Sequence, residues 1–178
     1  MSWRYRRPWR IVSPEQEEAR MYRSPNPLPE ESRRRIAAAL NEVLADGLDL
    51  HGQLKVAHWN VKGPHFAALH PLLETFAVSL AAHDDSVAER AVTLGAKAYG
   101  TARHVAGASR LPEYPQETTR DLDHVRLLAD RIEVYLAGLR SARAVAEEHR
   151  DLDTVDLLTG IATEFEKHGW FLRATLGE

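Results

Sequence analysis

Residues 58–95 read HWNVKGPHFAALHPLLETFAVSLAAHDDSVAERAVTLG. Gly63-Pro64 breaks the stretch near its start, because the pair favours a turn and proline cannot continue a helix behind it. After the break, Phe66, Leu69, Leu73, Phe76, Leu80, Val87 and Leu94 fall at multiples of three and four, the period of one helix face, and the run ends near Gly95. Before it, Ile36, Leu40, Val43, Gly47, Leu50, Leu54, Ala57 and Val61 are spaced alternately by four and three. Two long amphipathic helices joined by so short a turn have to pack antiparallel.

The pattern continues outward. Residues 95–117 contain Gly100, Gly107, Pro112 and Pro115 and read as a long crossover with room for a short helix. Its length lets the third helix run parallel to the second. That helix is marked by Leu122, Val125, Leu128, Ile132, Tyr135, Leu139 and Ala142, and a fourth, after His149–Asp153, by Val155, Leu158, Phe165 and Leu172. No strand pattern competes, so the expected fold is all-α: a four-helix bundle with the ferritin-like long crossover between helices 2 and 3. Residues 1–29 hold five prolines and little apolar periodicity, and are expected to form a mobile or extended tail ahead of a bundle over 30–178.

The composition fits one domain: 178 residues with 44% apolar content suffice for one core. Absence of cysteine rules out disulfides and thiolate metal sites, so any metal has to be held by imidazole and carboxylate, chemistry at home in a reducing cytoplasm. No apolar run approaches the roughly 18 residues of a membrane span, and the N-terminus lacks the apolar segment of a secretory signal. The formal charge of −3 is uneven: residues 1–10 carry four arginines and no acid, against 19 Lys and Arg and 26 Asp and Glu elsewhere.

Nine histidines occur, and three side-chain groupings stand out. His58 is read as sitting on the inner stripe, near the end of the first helix. His70 and Glu74 form an i, i+4 pair early in the second, and Asp85 and Glu89 form another farther along it. Residues four apart share a helix face, so each pair can offer two ligands to one ion, and mixed imidazole and carboxylate suits iron, zinc or manganese. A solvated charged face is the alternative reading of either pair, although Asp85 and Glu89 repel each other unless a cation bridges them. His70 and Asp85 stand roughly 22 Å apart along the helix axis and about 60° apart around it, so one straight helix cannot bring both pairs to one ion. A two-fold axis through the middle of that helix would set Asp85 and Glu89 of one chain opposite His58, His70 and Glu74 of another, making two equivalent sites. The intrachain alternative, Glu-x-x-His pairs on two helices, is absent; Asp121/His124 and Glu164/His168 are its nearest imitations, and capping or a solvated face is the favoured reading of each.

The segment His58 to Gly95 closely resembles the signature of Dps-type miniferritins, and looser similarity runs through LPEYP (111–115), Ala129–Arg131 and Asp151–Leu172. The resemblance implies a hollow dodecameric shell of ferritin-like bundles. It implies that iron(II) is oxidised, preferably by hydrogen peroxide, at ferroxidase centres on two-fold interfaces, and that ferric mineral is stored inside. On this resemblance His58, His70 and Glu74 from one subunit and Asp85 and Glu89 from the other would hold iron. Glu74 departs from the pattern, which more often has Asp there, and its longer chain shifts the second iron position. Pro71 would kink the helix beside His70 unless the helix starts near Ala68, which would place it in the first turn. Trp59 would lie close to the iron and intercept radicals, with core packing as the plainer role. Asp151 and Asp156 would line three-fold pores that admit iron(II); stabilisation by the dipole at the start of the fourth helix explains them equally well.

MSWRYRRPWR, residues 1–10, interleaves Arg4, Arg6, Arg7 and Arg10 with Trp3, Tyr5 and Trp9, a composition able to contact phosphates and stack on bases. A tail folded back on the bundle would be silent. Twelve exposed tails would bind DNA by multivalency. The expected function is iron-sequestering ferroxidase that protects DNA, cytoplasmic and with nucleoid association open; the rival is a structural nucleoid protein that compacts DNA and oxidises little iron.

Overall fold

The computed structural model describes residues 21–178. Five helices follow in order: α1 Glu30–Asn60, α2 Phe66–Thr93, the short α3 Ala102–Ala108, α4 Asp121–Glu148 and α5 Leu152–Leu176. Among the described residues the only β-type pairing is an isolated parallel bridge between Lys62 and Arg120.

The stripes read from the sequence become the core. Every member of the first, Ile36 to Val61, is buried. In the second, Leu69, Leu73, Phe76, Leu80, Val87 and Leu94 are buried, but Phe66, in the first turn, is half exposed. In α4 the stripe from Val125 to Ala142 is buried, and in α5 Leu158, Phe165 and Leu172 close the core from the other side. Acidic residues sit where the helix dipole favours them: Glu30 and Glu31 open α1 and pair with Arg34 and Arg35 one turn on.

Two junctions fix the directions. Between α1 and α2, Gly63 adopts φ 147° and faces the Asp121 carboxylate, where a Cβ would come within 2.4 Å. Asp121 accepts hydrogen bonds from His65 N at 2.9 Å, His65 Nδ1 at 2.8 Å and Leu122 N at 2.9 Å. The start of α4 is thereby held at the start of α2, so the two run parallel. At the other end Arg90, in the last turn of α2, donates to Asp151 at 2.6 Å just before α5, so α5 runs antiparallel to α2. This is the ferritin-like connection.

The crossover is fastened by buried polar groups. Asp46 of α1, wholly buried, accepts hydrogen bonds from the backbone N and guanidinium of Arg110 at 2.7–2.9 Å. Tyr114 shares a 2.6 Å hydrogen bond with Nδ1 of the fully buried His124, whose basicity is lowered chiefly by desolvation. Residues 21–29, grouped with the tail by composition, are attached to the end of α2: Tyr22 N donates to Gly95 O and Ser24 Oγ to Thr93 O, and Arg33 of α1 donates to Leu94 O between them. They supply donors to carbonyls that the end of α2 leaves without helical partners.

Candidate metal centre

His58, two residues before the end of α1, and His70, in the second turn of α2, face each other across the helix pair. Their rings stack with centroids 3.8 Å apart. His58 Nδ1 lies 2.8 Å from His70 O, and His70 Nδ1 lies 2.9 Å from His58 O. A carbonyl oxygen only accepts, so each Nδ1 carries a hydrogen, and the nitrogen left to offer a lone pair to a metal is Nε2. Holding an imidazole by Nδ1–H on a carbonyl is how proteins orient a metal-binding Nε2.

Glu74, one turn beyond His70, brings its Oε2 to 3.5 Å from His58 Nε2. The same oxygen is in contact with Lys55 Nζ, and this hydrogen bond is the main reason that Glu74 titrates below the usual glutamate range. Lys55 is absent from the sequence expectation; its signal was the i, i+3 spacing to His58, which puts both on one helix face. Its ammonium also lies 5.8 Å from the centre of the Trp59 ring. Trp59 is 68% exposed and belongs to no core of the single chain. Pro71 is the sixth residue of α2, which starts at Phe66 rather than near Ala68, so it stands beyond the first turn. It cannot donate to the carbonyl of Ala67, an exposed residue open to solvent, and α2 continues unbroken through Pro71.

Asp85 and Glu89 lie farther along α2 on an exposed face. Among the described residues no three His, Asp or Glu side chains gather in metal-binding geometry within the chain. The imidazole pair and Glu74 come together, then, and the distal acidic pair stays apart from them.

The intrachain imitations divide. Asp121 serves the His65 junction and His124 serves Tyr114, so these two share nothing. Glu164 accepts from His83 Nε2 at 2.8 Å and lies 3.7 Å from His168 Nε2; these contacts and a Ser79 hydrogen bond outweigh its desolvation and lower its pKa. Asp151 is buried, capping α5 through Thr154 and paired with Arg90, so both its oxygens are engaged. Asp156 is exposed. Arg4, Arg6, Arg7 and Arg10 lie outside the described residues. One acid went unnoticed in the sequence: Asp84, buried in α2, whose carboxyl is pushed up to about 8 by desolvation. It occupies the gap of seven between Leu80 and Val87, where the stripe lacks a member.

Comparison with known proteins agrees with this architecture. A family model described as the ferritin-like domain matches residues 37–178. A DNA protection during starvation protein of Agrobacterium fabrum is 36% identical over 157 residues, covering 88% of this chain and 97% of that one. DpsC from Streptomyces coelicolor superposes with a TM-score of 0.84 at 33% identity, over 88% of this chain and 91% of that chain. A Dps protein from Vibrio cholerae O1, described as a member of a broad superfamily of ferritin-like diiron-carboxylate proteins, gives 0.80 at 28% identity, over 84% and 93%. The chain belongs to the ferritin-like family and, within it, to the Dps proteins that carry the name DNA protection during starvation.

Proposed function

We propose that this protein binds iron(II) as substrate at a centre shared by two chains, oxidises it and stores the ferric product, so limiting oxidative damage to DNA. The observation that carries the reading is the reciprocal pairing of His58 and His70, which orients both rings and sets Nε2 of His58 3.5 Å from the Glu74 carboxylate. Imidazole and carboxylate form a donor set suited to iron. Asp85 and Glu89 of a second copy would complete the coordination, as a two-fold axis through α2 allows.

At such a centre two iron(II) ions each give up one electron, and hydrogen peroxide takes up both electrons with two protons to yield two waters. No hydroxyl radical forms in that two-electron step, and Trp59 stands beside the site to intercept any one-electron leak. The neutral imidazoles hold the ions without adding charge, while the carboxylates offset the charge gained on oxidation. The assembly is a homododecameric hollow shell with mineral inside, located in the cytoplasm and in reach of the nucleoid. Asp156 of three chains would line an entry pore for iron(II). Among the described residues no helix is long and apolar enough to cross a membrane.

The test is iron(II) oxidation with peroxide, followed by absorbance, in the D85A/E89A variant checked for intact assembly by light scattering. We expect the initial rate to fall at least tenfold, since two of five ligands are lost; an undiminished rate in an assembled variant refutes the site.

A further inference from the structure

Met21, the first described residue, lies on the wall of a groove of about 450 Å³ between the start of α1 and the crossover. The hydrogen bond from Tyr22 N to Gly95 O fixes the chain at that point, so the residues before it set out from the groove itself. The floor is made of small side chains, Ala37 and Ala38 of α1 with Ala96 and Ala108 from the crossover. Side chains this short leave room for an extended backbone to lie against the helix.

The rim is basic. Arg34, Arg35 and Lys97 line it together with two carboxylates, of which Glu42 is turned to Arg110 at 3.0 Å and Glu31 is shared by the two arginines. The Glu31 pairings lie at the surface within one helical turn, a kind that contributes little, so a carboxylate from another segment can join them without breaking a strong contact.

Such carboxylates stand just upstream. Residues 14–20 read PEQEEAR, which places Glu15, Glu17 and Glu18 within six residues of Met21. Six extended residues span about 20 Å. The α1 wall of the groove, from Glu31 to Glu42, is about 16 Å long at the rise of a helix. The acidic run therefore reaches every cation of the rim.

We propose that residues 14–20 dock in this groove of their own chain, with Glu15, Glu17 and Glu18 paired to Arg34, Arg35 and Lys97. Docking does not depend on the oxidation reading. Its consequence rests on the proposed contact with DNA: acids held by the groove no longer neutralise Arg4, Arg6, Arg7 and Arg10, which stand five to eleven residues before Glu15.

The test is cleavage of the assembled full-length protein by subtilisin, with cuts between residues 14 and 20 timed by mass spectrometry. Reversing the run in E17K/E18K and reversing the rim in R35E/K97E are each expected to speed these cuts at least tenfold. Combining the four changes restores the pairing with its sign exchanged, and the slow rate of the parent is expected to return. Equal rates in the parent and both reversals overturn the proposal, as does a combined variant cut as fast as either.

Because the chain has no cysteine, a second measurement is unambiguous. On air oxidation the Glu17→Cys, Ala38→Cys variant is expected to form a disulfide and still run as a monomer under denaturing, non-reducing conditions. A dimer band puts the segment in the groove of a neighbouring copy and overturns docking on its own chain. A yield no higher than that of Glu17→Cys, Ser141→Cys, whose second cysteine lies exposed on α4, overturns docking altogether. Failure of the DNA reading shows separately, as retardation that survives deletion of residues 1–10.

Discussion

Lys55 is the residue that sets the charge of the imidazole platform. Its ammonium holds Glu74 in the absence of metal, so an incoming dication meets a carboxylate already neutralised. Replacing Lys55 with Met keeps the length of the stem and removes the charge; zinc or iron(II) affinity, measured by calorimetry on the assembled protein, is expected to rise several-fold. A second change at this scale concerns Asp84, whose polar atoms find no hydrogen bond in the apolar interior. In metal-free protein Asp84→Leu is expected to raise stability toward thermal unfolding by roughly 1–3 kcal/mol, the usual cost of a buried group left unsatisfied. An unchanged or lowered melting temperature would show that the carboxyl is compensated in another way. His58, His70 and Glu74 could be picked out as candidates from their spacing and from the family resemblance. Their orientation could not, because it rests on which backbone carbonyl each Nδ1 meets across two helices, and no one-dimensional pattern records that.

Single elements carry the pH response. His124 in α4 and His168 in α5 both have their basicity lowered, chiefly by desolvation. The folded chain therefore keeps them neutral, while the unfolded chain protonates them once the pH falls below about 6.5. Protons then favour the unfolded state, and stability present above that pH is lost as it falls through the lowered folded-state values. A second loss follows below about pH 4, where Asp121, whose pKa is lowered first by the His65 backbone hydrogen bond, and Glu164 begin to protonate in the unfolded chain. Melting temperature scanned from pH 8 to 4 is expected to show both stages. His124→Gln, which can still meet the Tyr114 hydroxyl, is expected to flatten the upper one, and an unaltered profile would remove His124 from the account. Helix existence was readable from periodicity, and the long crossover from its glycines and prolines. The attachment of residues 21–29 was not, since it is made by backbone groups and one serine hydroxyl on the end of α2, with almost no apolar signature. Asp151 misled for a related reason: an acid at a helix start looks the same in sequence whether it faces solvent or, as here, an arginine from another helix.

At the scale of the whole molecule, the charge is uneven, with an acidic body and four arginines in the first ten residues, and the proposed function gives storage to the one and contact with nucleic acid to the other. Deleting residues 1–10 is expected to abolish retardation of DNA on a gel at low salt while leaving iron oxidation intact; retardation that survives the deletion assigns DNA contact to another surface. That Asp85 and Glu89 stay apart from the imidazole pair within one chain was inferable from the sequence, because the rise of a helix fixes how far apart two of its residues stand. The exposure of Trp59 and Phe66 was not, since Trp59 lies off the apolar stripes and Phe66 lies on one.

The unbroken length of α2 acts as a ruler. In the proposed pair, the stretch between His70 and Asp85 sets how far apart the two reaction centres stand, roughly 22 Å along the axis, while symmetry keeps each end opposite its counterpart. Inserting two full turns there would leave every side chain on its original face and move the two centres apart by roughly another 10 Å. The spacing of the centres is thus written in a part of the helix that touches neither iron nor oxidant.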